Sequence, residues 1–352
     1  MTPGEAASYF AIPELSCPPE TFRGGHVNDS FLLTAAGGSR FLLQRIGPPA
    51  FADPDAVMAN IVLVTQHLAG LGDGPQLHLQ PTTAGAWSLV DGDHHWRVYD
   101  FIEDSTSLEA PAELAELTAV GRLQGAFLKQ LSDIAVEDLA VVIPHFHDEP
   151  RYMERLKVII EEDPAGRVTA VQAEITQALS YEELSHCFDD PELLPLRATH
   201  NDTKLSNVLV TVADHSPICV VDLDTIQPGL VVSDFGDAIR SGAATTVEDS
   251  LVKPRIDLNR FRAYTAGFLA GAAAILTPAE VSHLRQGAAM AALETSLRFL
   301  TDHLAGDVYF HVDYPDHNLV RARNQLALLK DILAHWEELG ITVDQEWSRL
   351  SK

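Results

Sequence analysis

An α+β fold in two lobes is predicted for this chain: a small strand-rich part over residues 1–102 and a larger, mostly helical part over 103–352. Three observations predict it. Before residue 102 the apolar residues come in short runs punctuated by Gly and Pro, the habit of strands. After Glu103-Asp104-Ser105 they recur every three or four residues over long segments, the habit of helix faces. With 352 residues, 46% of them apolar, the chain can also bury a core in each part. A ligand crevice between the two parts is the default expectation.

The elements follow in order. Phe31-Leu32-Leu33 and Phe41-Leu42-Leu43 flank a turn containing Gly37-Gly38, a hairpin signal. Asp53-Pro54 opens a helix with Val57, Ile61, Val64 and Leu68 on one face. A turn-rich strand region ends in the run from Trp96 to Ile102. Helical periodicity then marks 112–133, 151–163, 167–186, 255–272, 278–305 and 318–338. Between these lie two short strands, Val208-Leu209-Val210 and Ile218-Cys219-Val220-Val221.

Composition excludes several classes of partner. A net charge of −26 repels nucleic-acid backbones and anionic lipid, and no run of Lys or Arg offsets it. The opening Met-Thr-Pro-Gly-Glu carries no secretory pattern, and the apolar stretch from Phe268 to Leu276 is too short to span a bilayer. Three scattered cysteines read as reduced thiols, so a cytoplasmic protein is expected. The fifteen histidines, His94, His95, His145 and His147 among them, form no zinc pattern and read as surface or capping residues.

Chemistry concentrates in 199–240. Asp202 and Asn207 are five apart with Lys204 between, the Asp-x-x-x-x-Asn spacing of a phosphoryl-transfer loop. There the aspartate accepts a hydrogen bond from the attacking hydroxyl, the asparagine binds a metal ion, and a cation at the lysine position meets the transferred group. Asn207 precedes one strand and Asp222 ends the next, with the turn 213–217 midway. An antiparallel hairpin therefore places the two oxygen ligands opposite each other, as Mg²⁺ requires. Further on, Asp237 in Asp234-Phe235-Gly236-Asp237 reads as a carboxylate that supports the loop, with metal or substrate binding as the alternative.

The chain resembles the aminoglycoside phosphotransferase and choline kinase superfamily and, within it, the N-acetylhexosamine 1-kinases. The resemblance rests on Gly25-His26-Val27-Asn28-Asp29, Leu43-Gln44-Arg45-Ile46, Phe101-Ile102-Glu103-Asp104, His200-Asn201-Asp202-Thr203-Lys204, Asp222-Leu223-Asp224-Thr225, the run from Asp234 to Arg240, and the segment 298–310. It implies a protein-kinase-like fold and transfer of phosphate from ATP to the anomeric hydroxyl of an N-acetylated hexosamine. Asp202 would be the base and Lys204 its cationic neighbour, with His200 supporting the loop. Asn207 and Asp222 would hold Mg²⁺, and Asp224 would serve as an outer carboxylate or touch substrate. Gly25, His26 and Asn28 would cover the phosphates, and the backbone of Phe101 and Ile102 would carry adenine. Arg298, Asp302 and Tyr309 are the candidate sugar contacts; Arg298 and Asp302, four apart on a helix, would otherwise form an ordinary ion pair.

Two features depart from the pattern. Only Gly24-Gly25 remains of a glycine-rich phosphate loop. The strand lysine that grips phosphates is missing, and either Gln44 or Arg45 takes its place, since strand alternation lets only one of them face the cleft. These departures leave room for a catalytically inactive nucleotide-binding module, against which the trio Asp202, Asn207 and Asp222 argues. A different acceptor (another sugar, an aminoglycoside or an amino alcohol) is the alternative within the same fold.

Overall fold

The computed structural model describes residues 1–22, 28–47, 51–72, 76–111, 113–190 and 192–350. A short helix α1 (Pro3–Ala7) leads into the strands β1 (Glu20–Thr21), β2 (Asp29–Thr34) and β3 (Arg40–Ile46). Helix α2 (Pro54–Leu71) comes next, then β4 (Leu79–Gln80), β5 (Leu89–Asp91) and β6 (His94–Asp100). These strands form one antiparallel sheet in the order β1-β2-β3-β6-β4, with β5 also on β6. The β2–β3 hairpin turns through Gly37 and Gly38, whose φ of 100° and 92° only glycine adopts without strain. Asp53 caps α2 by accepting the Ala56 N–H.

The second lobe begins with β7 (Ser105–Ser107), α3 (Leu114–Leu131), α4 (Glu149–Glu162), α5 (Gln172–Leu179) and α6 (Glu182–Ser185). The strands β8 (Arg197–Thr199), β9 (Val208–Thr211), β10 (Pro217–Val220) and β11 (Gln227–Gly229) follow. Helices α7 (Val231–Gly242), α8 (Leu258–Ala272), α9 (Pro278–Ser282), α10 (Leu284–Ala305), α11 (His317–Ala334) and α12 (Trp336–Leu350) complete it. The two-lobed α+β architecture expected from the sequence is the one observed.

Three apolar clusters organise the molecule. One lies under the outer face of the sheet, where Leu33, Leu43, Trp96 and Val98 meet α1. A second joins the lobes: Val57, Ile61 and Val64 of α2 share it with Leu131, Val142, Val220 and Ile226. The third fills the helical lobe around Phe235, Phe268, Leu293 and Leu328.

Some helices are shorter than their periodicity suggests. The 278–305 segment breaks at His283 and the C-terminal one at His335, after which α12 runs on to Leu350. In both cases the imidazole Nδ1 lies within hydrogen-bond distance of the carbonyl four residues back, Ala279 at 2.8 Å and Asp331 at 2.9 Å, and so shares it with the histidine's own backbone N–H. The 167–186 segment divides into a 3₁₀ turn, α5 and α6. Among the described residues no helix is long and apolar enough to cross a membrane.

Helices α3 and α8 cross with their backbones in near contact. Gly121 and Gly125 on one face Gly267 and Gly271 on the other, and a Cβ at Gly267 would lie 2.0 Å from the Thr118 carbonyl oxygen. Gly267→Ala is therefore expected to destabilise the protein by about 1–3 kcal/mol through overpacking. Urea unfolding measures this, and a change below about 0.5 kcal/mol would contradict it.

Candidate active site

The loop at 199–207 leaves β8 and reaches β9 through a 3₁₀ turn. Asn201 takes a left-handed backbone, φ 65°, which Asn tolerates. Asp234, in the first turn of α7, holds that shape by accepting the N–H groups of His200 and Asn201 at 3.0 and 2.7 Å. His200 lies within hydrogen-bond distance of two groups. Its Nε2 donates to the Val221 carbonyl at 2.9 Å, which leaves Nδ1 to accept the Asp202 N–H at 3.3 Å. The loop is thereby tied both to α7 and to the end of the β9–β10 hairpin.

Asp202 Oδ2 accepts from Lys204 Nζ at 2.6 Å and from Asn207 Nδ2 at 2.9 Å. Burial raises the Asp202 carboxyl, but the Lys204 ammonium, with His200 and Asn207, outweighs it and holds the group below its usual range. Burial likewise works against the charge on Lys204, and Asp202 more than restores it. The Asn207 amide nitrogen is also bonded to the Asp202 carbonyl at 2.7 Å, so the amide oxygen is the atom left for another ligand.

The hairpin forms as its spacing requires. Val220 pairs with Val208, and the Val221 N–H donates to the Asn207 carbonyl at 2.9 Å. Asp222 then turns left-handed, φ 63°. Among the described residues no hydrogen bond or ion pair reaches its carboxylate, and burial, with Asp224 and Asp202 adding to it, pushes the carboxyl up to about 6. Lys204 and Arg97 offset this only in part. A half-buried carboxylate with no hydrogen-bond or ion-pair partner among the described residues, beside the remaining Asn207 amide oxygen, is the donor chemistry a hard divalent cation takes. Two further polar atoms close to these aspartates, Tyr99 Oη and Asn28 Oδ1, are buried without a partner.

A buried cation lies on the strand next to Gln44. Gln44 faces the cleft, while Arg45 lies on the other face of β3, paired with Asp29 and 5.6 Å from the Trp96 ring. Gln44 Oε1 accepts from Nε and Nη2 of Arg97, its register partner on β6, at 3.0 and 2.8 Å. Arg97 is only 1% exposed and bonds Asp224 at 2.5 Å. Asn28 Nδ2 reaches the other Asp224 oxygen at 2.6 Å. Both Asp224 oxygens are thus taken by the first lobe, which fits the expected outer carboxylate rather than a carboxylate held free for substrate.

The remaining expectations divide. Gly25 and His26 lie outside the described residues. In the linker, the Phe101 N–H bonds the Arg40 carbonyl and the Ile102 carbonyl accepts from Ser105, and among the described residues the Phe101 carbonyl and the Ile102 N–H have no hydrogen bond. Asp237 does not hold the loop, since Asp234 does; it pairs with Arg240 at 2.8 Å, and its Oδ2 is buried without a partner. Asp302 is not a surface-facing sugar ligand. It is 5% exposed and accepts the N–H groups of Val308, Tyr309 and Phe310 together with Asn318 Nδ2, so it caps the loop after α10. Nor does it pair with Arg298, which bonds Glu294 at 3.1 Å and lies among the rings of Phe146, Tyr152 and Phe310. Tyr309 is 70% exposed. Of the histidines read as surface or capping residues, His95 is buried and His147 nearly so. Among the described residues no cluster of three or more His, Cys, Asp or Glu is arranged to hold a metal.

Residues 19–273 match the phosphotransferase enzyme family, and the chain belongs to it. Solved structures agree on the fold. An aminoglycoside phosphotransferase from Alicyclobacillus acidocaldarius is 13% identical, with TM-score 0.64 over 98% of this chain and 97% of that one. An amicoumacin kinase is 11% identical, with TM-score 0.64 over 92% and 91%. A choline/ethanolamine kinase family protein from Mesorhizobium loti is 19% identical, with TM-score 0.52 over 96% and 97%.

The inter-lobe pair is testable without any substrate. Asp224→Ala leaves the Arg97 guanidinium buried without its carboxylate and is expected to cost about 3–5 kcal/mol in urea unfolding of the protein alone. A loss confined to turnover, with unfolding unchanged, would return Asp224 to a substrate role.

Proposed function

We propose that this phosphotransferase is an ATP-dependent small-molecule kinase in which Asp202 orients and deprotonates the acceptor hydroxyl. The observation that carries the reading is the pairing of an ionised Asp202, held by Lys204 and Asn207, with the unpartnered carboxylate of Asp222 across the hairpin.

Mg²⁺ held by Asn207 Oδ1 and Asp222 would neutralise charge on the nucleotide phosphates. The chain's own residues supply the rest. Lys204 stabilises negative charge next to Asp202 while keeping that carboxylate ionised. A loose transition state asks little early proton abstraction of Asp202, so its first task is to aim the hydroxyl and its second to take the proton late. The free Phe101 carbonyl and Ile102 N–H, one acceptor and one donor, suit the edge of adenine.

For the acceptor we propose an N-acetylhexosamine phosphorylated at its anomeric hydroxyl. The resemblance of 298–310 supports it, as does Arg298, whose guanidinium is kept among three aromatic rings. An anomeric hydroxyl is more acidic than an ordinary alcohol, which eases the transfer to Asp202. A second reading, a cationic amino alcohol or aminoglycoside, is favoured by the unpartnered Asp237 oxygen in the acidic interior near Lys204.

The test is ADP release with ATP and Mg²⁺ against N-acetylglucosamine, N-acetylgalactosamine, glucose, choline, ethanolamine and an aminoglycoside, with the product position identified. A hexosamine 1-phosphate supports the first acceptor and an amine-bearing product the second. Nucleotide binding without turnover on any acceptor would favour an inactive module. Asp202→Asn is expected to lose at least ~10²-fold in turnover, and near-normal turnover would remove Asp202 from its role. A further outcome concerns pH. As pH falls through about 6 the Asp222 carboxylate takes up a proton that Mg²⁺ must displace. The Mg²⁺ concentration for half-maximal rate should therefore rise roughly four-fold from pH 7.5 to 5.5. Asp222→Asn should abolish that dependence, and an equal Mg²⁺ requirement in the wild type at both pH values would contradict it.

A further inference from the structure

The peptide plane that joins Asn201 to Asp202 is held at both ends by histidines. Its N–H donates to His200, within the loop motif. Its carbonyl faces His147 Nε2 at 3.0 Å, from a segment more than fifty residues upstream. His147 Nδ1 faces Glu294 Oε2 of α10 at 2.7 Å. A carbonyl and a carboxylate only accept hydrogen bonds, so satisfying both requires a proton on each ring nitrogen, that is, an imidazolium. We propose that His147, charged and paired with Glu294, is a positioning residue that fixes the Asn201–Asp202 peptide plane and so the direction in which Asp202 projects.

The rest of the surroundings support this. Asn201 is otherwise anchored by its N–H on Asp234 and its side-chain amide on the Thr199 and Thr225 carbonyls at 3.0 Å each. That fixes the residue on one side of the plane and leaves rotation of the plane itself to the two histidines. His147 has a left-handed backbone of its own, φ 56°, and stacks on Phe146 with ring centroids 4.2 Å apart. Strain of this kind persists where the surroundings over-determine it. Glu294 is 2% exposed and also takes Arg298 Nη1, so it is held from both sides.

The charged groups facing His147 come from three helices: Glu294 on α10, Glu149 on α4, and Asp234 and Asp237 on α7, with Arg298 behind Glu294. Burial works against the imidazolium, but Glu294 first and then Glu149 and Asp237 push it up to about 9. Glu149, itself buried and beside Glu294, is pushed up to about 8. As pH rises through about 9, His147 loses one proton. The remaining one is drawn to the Glu294 side, and a ring lone pair then faces the Asn201 carbonyl.

The proposal rests on Asp202 as the acting carboxylate, and the experiment separates the two. ADP release is measured with ATP, Mg²⁺ and N-acetylglucosamine, and with water as the acceptor-independent case, from pH 6 to 10. His147→Ala is expected to lower kcat by ~10-fold or more while the KM for ATP moves less than about 3-fold, since misdirection of a reacting group acts on the chemical step. Glu294→Gln can donate to a neutral His147 and leave Nε2–H on the Asn201 carbonyl. It is expected to lose less turnover than His147→Ala at pH 7 and to lack the alkaline limb near pH 9. If Asp202→Asn is inactive while His147→Ala keeps wild-type kcat, or if Glu294→Gln keeps the alkaline limb, the positioning role is overturned. If Asp202→Asn itself turns over normally, the functional reading falls instead.

Discussion

A guanidinium cannot be buried without an anion, and Arg97 finds its anion on the other lobe. That one requirement sets the relative position of the two parts. The sheet presents Arg97, oriented by Gln44, and Asn28 to the same carboxylate, and Asp224 stands two residues from Asp222. Closing the sheet onto Asp224 therefore brings the cleft wall to the aspartates that would handle phosphate and metal. The shared apolar cluster around α2 supplies area for the docking, but apolar contact has no direction. The ion pair supplies the register.

The same logic of forced partners builds the loop. Asn201 and Asp222 both adopt left-handed backbones, each costing of the order of 1–3 kcal/mol unless the surroundings compensate. Asp234 compensates at Asn201 by taking two backbone N–H groups, and the hairpin ladder does so at Asp222. The outcome is a sharp division among four carboxylates packed close together. Asp234 and Asp224 are satisfied by structure, Asp202 is half satisfied by Lys204, and Asp222 is left bare. Reactivity is distributed by hydrogen bonding, because all four are the same chemical group.

What was legible in the sequence follows from the distance over which each partner is chosen. Asp202, Lys204 and Asn207 meet within six residues, and Asp222 is placed by one hairpin, so their juxtaposition is legible from local spacing. Arg97 and Asp224 are 127 residues apart, and His147 and Glu294 147 apart. Nothing local distinguishes Arg97 from Arg45, since alternation along a strand names two faces without saying which meets the other lobe. Asp234 and Asp237 are one turn apart on α7, and only the docking of β8 decides that the first meets the loop. Asp302 is ambiguous in the sequence for a related reason: a carboxylate that caps the loop following its own helix looks, in sequence, like one that reaches for a ligand.

Helix α10 shows how these choices join. Its Glu294 takes His147 and Arg298, and its Asp302, two turns on, shapes the segment carrying Tyr309 and Phe310, whose ring in turn lies 5.5 Å from Arg298. One face of a single helix thus reaches the Asn201 carbonyl through His147 and also carries Arg298, beside the ring of Phe310. In a protein with a net charge of −26, the buried and half-buried cations of this region are each placed against an acid: Arg97 against Asp224, Lys204 against Asp202, Arg240 against Asp237, and both His147 and Arg298 against Glu294. At ordinary ionic strength the outer charge is screened within about 8–10 Å, whereas buried pairs are screened far less. These pairs therefore act on the cleft with little screening, whereas the acids on the outer surface act on it weakly.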